Sequence, residues 1–424
     1  MTATAPEQIR LRPLTLVQDA DETLVGDPQT ATFVSVPAVG AVVIRALQRG
    51  ASPREAALEA EKHSGEPVDV ESFVEALREL GFVRDSGDGC EENSDAVKVQ
   101  RTAPIQQRRW VTGLNPRWAK PFFSPAAWAV YAATLLFSIG CFALHPALIP
   151  SPEDTFVLED RGLSLLILLP LSYLTTALHE GWHWLGARAA GVAARFGIDR
   201  RLCFLVFETD LSQLWSLPRR QRLGPQLAGL AADSFILAGL LATQLAEEEG
   251  WISLAPVVTN LAAAMTFVVI TGMIWQSMIF LRTDLYGALV TITGCHNLWE
   301  VKTLLLRRTA KRLSQTQREQ LAAAHPRDIA IGRWFRWIYL MGIPLTLAYY
   351  AIFQVPVLIG AIAWSIQGIA TGPAQGRFWL TLAESMAIYI PLLLVLITSV
   401  KARLDRIAAR SSSHRPRGES HATV

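Results

Sequence analysis

Cysteine is scarce in this sequence. Its four thiols, Cys90, Cys141, Cys203 and Cys295, stand far apart and form no C-x-x-C pair. That spacing argues against both a disulfide framework and a thiolate zinc site. Charge of one sign is also missing: the formal net charge is +2, too small to suggest a nucleic-acid partner. There is no glycine-rich phosphate loop and no dinucleotide fingerprint. The N-terminus has no basic segment followed by an apolar stretch. A cleavable signal peptide is therefore not expected, and the N-terminal region is expected to stay in the cytoplasm.

What the chain has in excess is apolar length. Of 424 residues, 51% are hydrophobic, more than a soluble domain usually carries. A membrane span needs ~20 apolar residues. Six runs qualify, at about 126–148, 163–187, 226–246, 252–281, 334–364 and 378–400. The fourth and fifth are long and are expected to tilt or break, with Pro344 and Pro356 kinking the fifth. The charge of the connecting loops alternates. Acids dominate after span one (Glu153, Asp154, Glu159, Asp160) and span three (Glu247, Glu248, Glu249). Bases dominate after span two (from Arg188 to Arg222), after span four (Lys302, Arg307, Arg308, Lys311, Arg312, Arg318) and in the tail (Lys401, Arg403, Arg406, Arg410). Positive loops remain inside, so both termini are expected on the cytoplasmic side of a bacterial membrane. Trp110, Trp118, Phe122, Phe123 and Trp128 mingle with Arg108, Arg109, Arg117 and Lys120 ahead of the first span. That mixture predicts an interfacial belt.

The fold class that follows is mostly α: a polytopic membrane helix bundle behind an N-terminal winged-helix-like α/β domain. Residues 1–9 are expected to be disordered, 10–85 to form the small domain, 86–108 to be a polar linker, 109–400 to form the membrane domain and 401–424 a disordered basic tail. Within 10–85, strands are expected at Leu11–Val17, Glu22–Val25 and Ala31–Ser35, with Phe82 and Val83 returning to the sheet. Helices are expected at Ala38–Gln48, Pro53–His63 and Val70–Leu80. Ser52 and Asp69 supply caps for the last two, and Gly81 closes the third.

Thr32-Phe33-Val34-Ser35 leading into a helix, then "ASPREAALEAEKHSG", then "VDVESFVEALRELGFV", resembles the PqqD-like peptide-binding modules of ribosomal-peptide maturation. The resemblance covers nearly the whole small domain. It implies that a leader peptide adds a strand to the sheet edge, in a groove between Ala31–Ser35 and Val70–Leu80.

One helical turn carries the chemistry: His179-Glu180-Gly181-Trp182-His183, inside the second apolar run. Two histidines four apart project from one helix face, so both imidazoles can reach one metal ion. The adjacent Glu180 can take a proton from a water held there. Ionisable residues at a bilayer centre cost roughly 2.5–3.5 kcal/mol each for Asp, Lys or Arg. Zinc binding releases about 10–16 kcal/mol in small peptides, enough to offset such a cluster. The competing reading is a hydrogen-bonded polar knot. A catalytic zinc usually has a third protein ligand, and two acids fit: Asp284, just after span four, and Asp233, in the inward third of span three.

"ALHEGWHWLGARAAGV" followed by "FLRTDLYGALVTITGCHNL" resembles the site-2-protease family of intramembrane zinc peptidases, in particular its peptide zinc metalloprotease branch. The likeness covers roughly residues 165–300. It implies Zn²⁺ held by His179, His183 and Asp284, with Glu180 as the catalytic base. Asp233 stands where the family has Asn, and Leu285 where it usually has Gly. Asp233 and His296 are candidates to support the ligands from behind. The segment Cys203–Thr209 is β-prone, and the resemblance implies that such a strand clamps substrate. The implied partners are the lipid bilayer and a peptide or membrane-protein substrate, with a precursor leader peptide at the N-terminal domain. The implied activity is intramembrane peptide hydrolysis. The alternative is a weakly active or inactive peptide receptor or export accessory that keeps the protease fold. His414 and His421, in the Ser/Arg-rich tail, are expected to be solvated.

Overall fold

The computed structural model describes residues 9–19, 22–27, 30, 32–84, 114–201 and 204–412. The expected linker, Cys90, Arg108, Arg109, Trp110, Cys203, His414 and His421 lie outside these.

The N-terminal module forms where its turn and cap chemistry directs. The strand expected at Leu11–Val17 is two strands, β1 (Arg10–Leu11) and β2 (Thr15–Asp19). Pro13, between them, has no N–H to give a ladder. β2, β3 (Glu22–Asp27) and β4 (Thr32–Pro37) make an antiparallel sheet in that order, with Val25 opposite Leu16 and Val34. β4 is thus an edge strand. Helices α1 (Ala38–Gln48), α2 (Pro53–Ser64) and α3 (Val70–Glu79) follow. A reciprocal capping box starts α2: the Glu55 N–H donates to Ser52 Oγ at 3.3 Å and the Ser52 N–H to Glu55 Oε2 at 2.8 Å. Those Ser52 hydrogen bonds hold the Glu55 carboxyl below its ordinary range. Asp69 caps α3 by accepting from the Ser72 N–H at 3.0 Å. Gly81, at φ 73°, ends it in a backbone conformation that an L side chain resists. β5 (Val83–Arg84) then pairs with β1. Val25, Ile44, Leu77 and Phe82 form the core. Ile9 packs against it, so the disorder expected through residue 9 does not extend to Ile9.

Beyond the short α4 (Pro116–Ala119), six helical runs among the described residues are long and apolar enough to cross a membrane. They are α5 (Pro125–Leu144), α6 (Arg161–Ala189), α7 (Arg219–Glu248), α8 (Pro256–Gln276), the continuous pair α12 (Pro326–Tyr349) and α13 (Val355–Ile369), and the first part of α14 (Gly376–Ser412). The protein is a polytopic helix bundle with a small strand-bearing N-terminal region. Between α6 and α7 lies a hairpin, β6 (Arg195–Arg201) and β7 (Phe204–Asp210). Between α8 and α12 lie α9 (Asp284–Thr293), α10 (Leu298–Thr309) and α11 (Gln315–Ala323).

Three expectations change. The fourth span is shorter than 252–281: α8 stops at Gln276, and a turn with Arg282 at φ 60° leads into α9. The fifth does not break. Pro344 sits within α12, and the turn ahead of Pro356 widens to a π-helix over Tyr350–Gln354. Proline lacks the N–H for the Ile352 carbonyl and its ring crowds it, and a wider turn accommodates both. The tail is not wholly irregular, because α14 continues to Ser412. Residues 401–410 contain Ala, Leu, Lys and Arg with no Gly or Pro, so nothing stops the helix there.

Candidate metal centre

α6 and α7 approach closely because small residues line their contact. A Cβ on Gly186 would lie 3.0 Å from the Pro225 Cα. One turn further along α7, a Cβ on Gly229 would collide with the imidazoles of both His179 and His183. Glycine here is clearance for the two rings. Gly229 lies four residues before Asp233 on the same helix. Its sign was a glycine in a helix interior, which is unfavourable unless something must come close.

The two rings are 5% and 2% exposed as residues, and each is held from behind. His179 Nδ1 lies 2.7 Å from Asp233 Oδ2, and His183 Nδ1 lies 2.7 Å from the Pro225 carbonyl oxygen. Both partners are acceptors, so both δ nitrogens carry the proton and donate it. The ε nitrogens are then left with inward lone pairs. They lie 3.2 Å apart, and Asp284 Oδ2 sits 2.9 Å from the first and 3.0 Å from the second. Two lone pairs and a carboxylate oxygen facing one another call for positive charge among them, supplied by a metal ion or by a proton on one ring. In a tetrahedral site with bonds of ~2.0–2.1 Å, ligand atoms stand about 3.3 Å apart. The observed triangle is within a few tenths of an ångström of that. Two imidazoles and one carboxylate fit a divalent transition ion, and His179, His183 and Asp284 would hold it.

Asp284 reaches this point from the first residue of α9. The turn before it is pinned, with Thr283 Oγ1 donating to the Gln276 carbonyl at 2.7 Å. The Asp284 carboxylate thus faces both ε nitrogens. Its side chain is 23% exposed, against 7% and 2% for the two imidazoles. The triangle is therefore most open on the Asp284 side, from which water can approach.

Glu180 is held by the hairpin. The Thr209 N–H donates to Glu180 Oε2 at 2.9 Å, and Thr209 Oγ1 donates to the Glu180 carbonyl at 2.8 Å. β7 thus fixes one carboxylate oxygen and leaves the other for proton transfer. The β-prone segment Cys203–Thr209 is seen as β7 over Phe204–Asp210. Its partner β6 went unread in the sequence, although Phe196 and Ile198 alternate with polar neighbours.

His296 is not part of this arrangement. α9 separates it from Asp284 by a helix about 15 Å long, and its N–H donates to Asp328 Oδ1 at 3.1 Å. Lys302, one of the basic residues after the fourth span, is buried at 2% exposure against the rings of Trp299 and Tyr339, 3.5 and 3.6 Å from its Nζ. That burial, with Arg282 adding to it, pushes the amine down to about 8.

No protein-family profile matches this chain, and no curated protein or solved structure matches it. The chain's own residues define a multi-span helical membrane protein with a largely buried His/His/Asp cluster.

Proposed function

We propose that the chain is an intramembrane zinc endopeptidase of a bacterial cytoplasmic membrane. In this reading both termini face the cytoplasm, and the N-terminal module recruits a ribosomally made precursor peptide. One observation carries the proposal: two imidazoles with their δ nitrogens engaged present both ε nitrogens to one Asp284 oxygen. The resemblance of residues 165–300 to site-2 proteases supports it. When bound, Zn²⁺ would supply a Lewis acid and make a water molecule more acidic at neutral pH.

The chain's own residues supply the rest. Glu180, steadied by Thr209, takes a proton from the attacking water and delivers it to the leaving amine nitrogen. Asp233 and the Pro225 carbonyl keep the imidazoles in one tautomer and one orientation. β4 is an edge strand, and Phe73 of α3 and Val36 of β4 close on Gly40 beside it. That supports docking of a leader peptide as an added strand. The β2–β3 hairpin lies against residues 212–216, just after β7. A captured peptide would be tethered close to the site, at up to millimolar effective concentration for a short linker.

The test uses purified full-length protein. Metal content is measured by plasma mass spectrometry, and cleavage of a mixed library of transmembrane and amphipathic peptides by peptide mass spectrometry. We expect about one zinc per chain and products that vanish in Glu180→Gln. Metal-free protein, or equal cleavage by both forms, overturns the proposal.

A second reading has one observation in its favour. Asp233 places a further carboxylate against His179, where the resembling family has a neutral Asn. Zinc binding with no product from either form would select this reading, a receptor or export accessory that keeps the fold.

A further inference from the structure

A cleft of about 750 Å³ opens among α10, α11 and α12, away from the metal centre. Arg308, Lys311, Arg318 and Arg333 line it, Leu321 and Ile329 give it an apolar wall, and no acid lines it. Among the described residues, none of these four side chains makes a hydrogen bond or ion pair. The geometry that gathers them is built in. α10 ends at Thr309; two residues on, Lys311 has a φ of 55°, unusual for a side-chain-bearing residue, and the Arg312 N–H closes on the Arg307 carbonyl at 2.8 Å. The chain turns there, and α11 folds back over the same space. Four like charges around one cleft repel each other unless an anion sits among them.

The depth of the cleft identifies the anion. Along one face of α12, Arg333 is followed one turn later by Trp337 and one turn later again by Met341. Trp337 is 52% and Met341 58% exposed. Cation, tryptophan, then bare apolar side chain is the order met on passing from headgroup to hydrocarbon. Trp334, 41% exposed, lies beside Arg333 at the same level.

We infer that this cleft binds the phosphate headgroup of an anionic phospholipid, with the acyl chains lying along the Trp337–Met341 face. The four cations provide the charge, Leu321 and Ile329 meet the upper acyl segment, and the tryptophans fix the depth. The site fastens the α10–α12 segment to the membrane surface and is independent of the proposed chemistry.

The experiment reconstitutes full-length protein in nanodiscs of phosphatidylcholine with one-fifth phosphatidylglycerol. Lipid retained after mild detergent extraction is counted by native mass spectrometry. Wild type should retain phosphatidylglycerol selectively. Arg318→Gln with Arg333→Gln should lower its occupancy constant about 30-fold at low ionic strength, from about 1 kcal/mol per cation. Arg318→Lys with Arg333→Lys keeps the charge and should keep the lipid, which separates lost charge from misfolding. Equal retention by wild type and the glutamine variant overturns the inference. So does displacement of the lipid by millimolar inorganic phosphate, which would make free phosphate the ligand. Displacement by polyglutamate without lipid enrichment would make the cleft a peptide site and overturns it too.

Discussion

The N-terminal module and the membrane bundle are built on opposite rules. In the module, Val25, Ile44, Leu77 and Phe82 are buried to 1% exposure or less, and among its described charged residues Asp27 is buried with them while the helix charges lie outside. In the bundle, Leu136, Ile343 and Leu347 are 69%, 64% and 66% exposed, while His179, His183, Arg222 and Asp233 are buried. Water drives the first arrangement through apolar burial. In the second, lipid covers the apolar side chains, and the polar groups must find partners inside. Arg222 Nε donates to the Leu217 carbonyl at 2.7 Å, and Asp233 accepts from His179. A deletion should therefore cost packing in the module and chemistry in the bundle.

The largest effect expected is on chemistry without packing. Under the proposed zinc peptidase activity, Glu180→Gln should lower peptide cleavage by about 10²–10⁴-fold while zinc content stays at the wild-type level. Loss of zinc in that variant would mean that Glu180 helps to hold the site, and would blur the contrast. The converse change is Leu77→Ala, which removes a fully buried side chain. It should destabilise the module by about 2–5 kcal/mol, read as faster hydrogen exchange across α1 and α3, with zinc content unchanged. A fall in zinc content would show that the two regions stand or fall together.

Smaller effects sharpen the same contrast. Asp233→Asn keeps a hydrogen-bond acceptor behind His179 but removes its charge. Zinc affinity should fall about 10–100-fold, measured by competition with a chelator, without a change in the exchange of the module. A rise in affinity would mean that the extra carboxylate opposes the site. Ser52→Ala should be the mildest, about 1 kcal/mol from loss of the α2 cap. It should be confined to exchange of the first turn of α2.

Much of the fold was legible because it depends on neighbours in sequence. Ser52-Pro53 followed by Glu55 sets the start of α2, and Asp69 and Gly81 bracket α3 within a residue of the expected bounds. The limits of legibility were local as well. Pro13 split a strand, and α8 ended at Gln276 because the chain must turn to deliver Asp284. β6 and β7 join only after their alternating residues find each other, so half of the hairpin was missed.

The metal centre divides differently. From sequence alone, the four-residue spacing put His179 and His183 on one face of one helix, since helical geometry fixes neighbours four apart. Sequence spacing could not rank Asp233 against Asp284, because each lies on another helix, 54 and 105 residues from His179. The family resemblance points to Asp284, and the packing of α6 against α7 and α9 gives each acid its place. It set Asp233 on the outer nitrogen and Asp284 on the inner ones, and it brought in the Pro225 carbonyl and the bare Gly229 that no pattern of side chains reveals. Such roles depend on distances between distant segments, and those exist only once the helices are in contact.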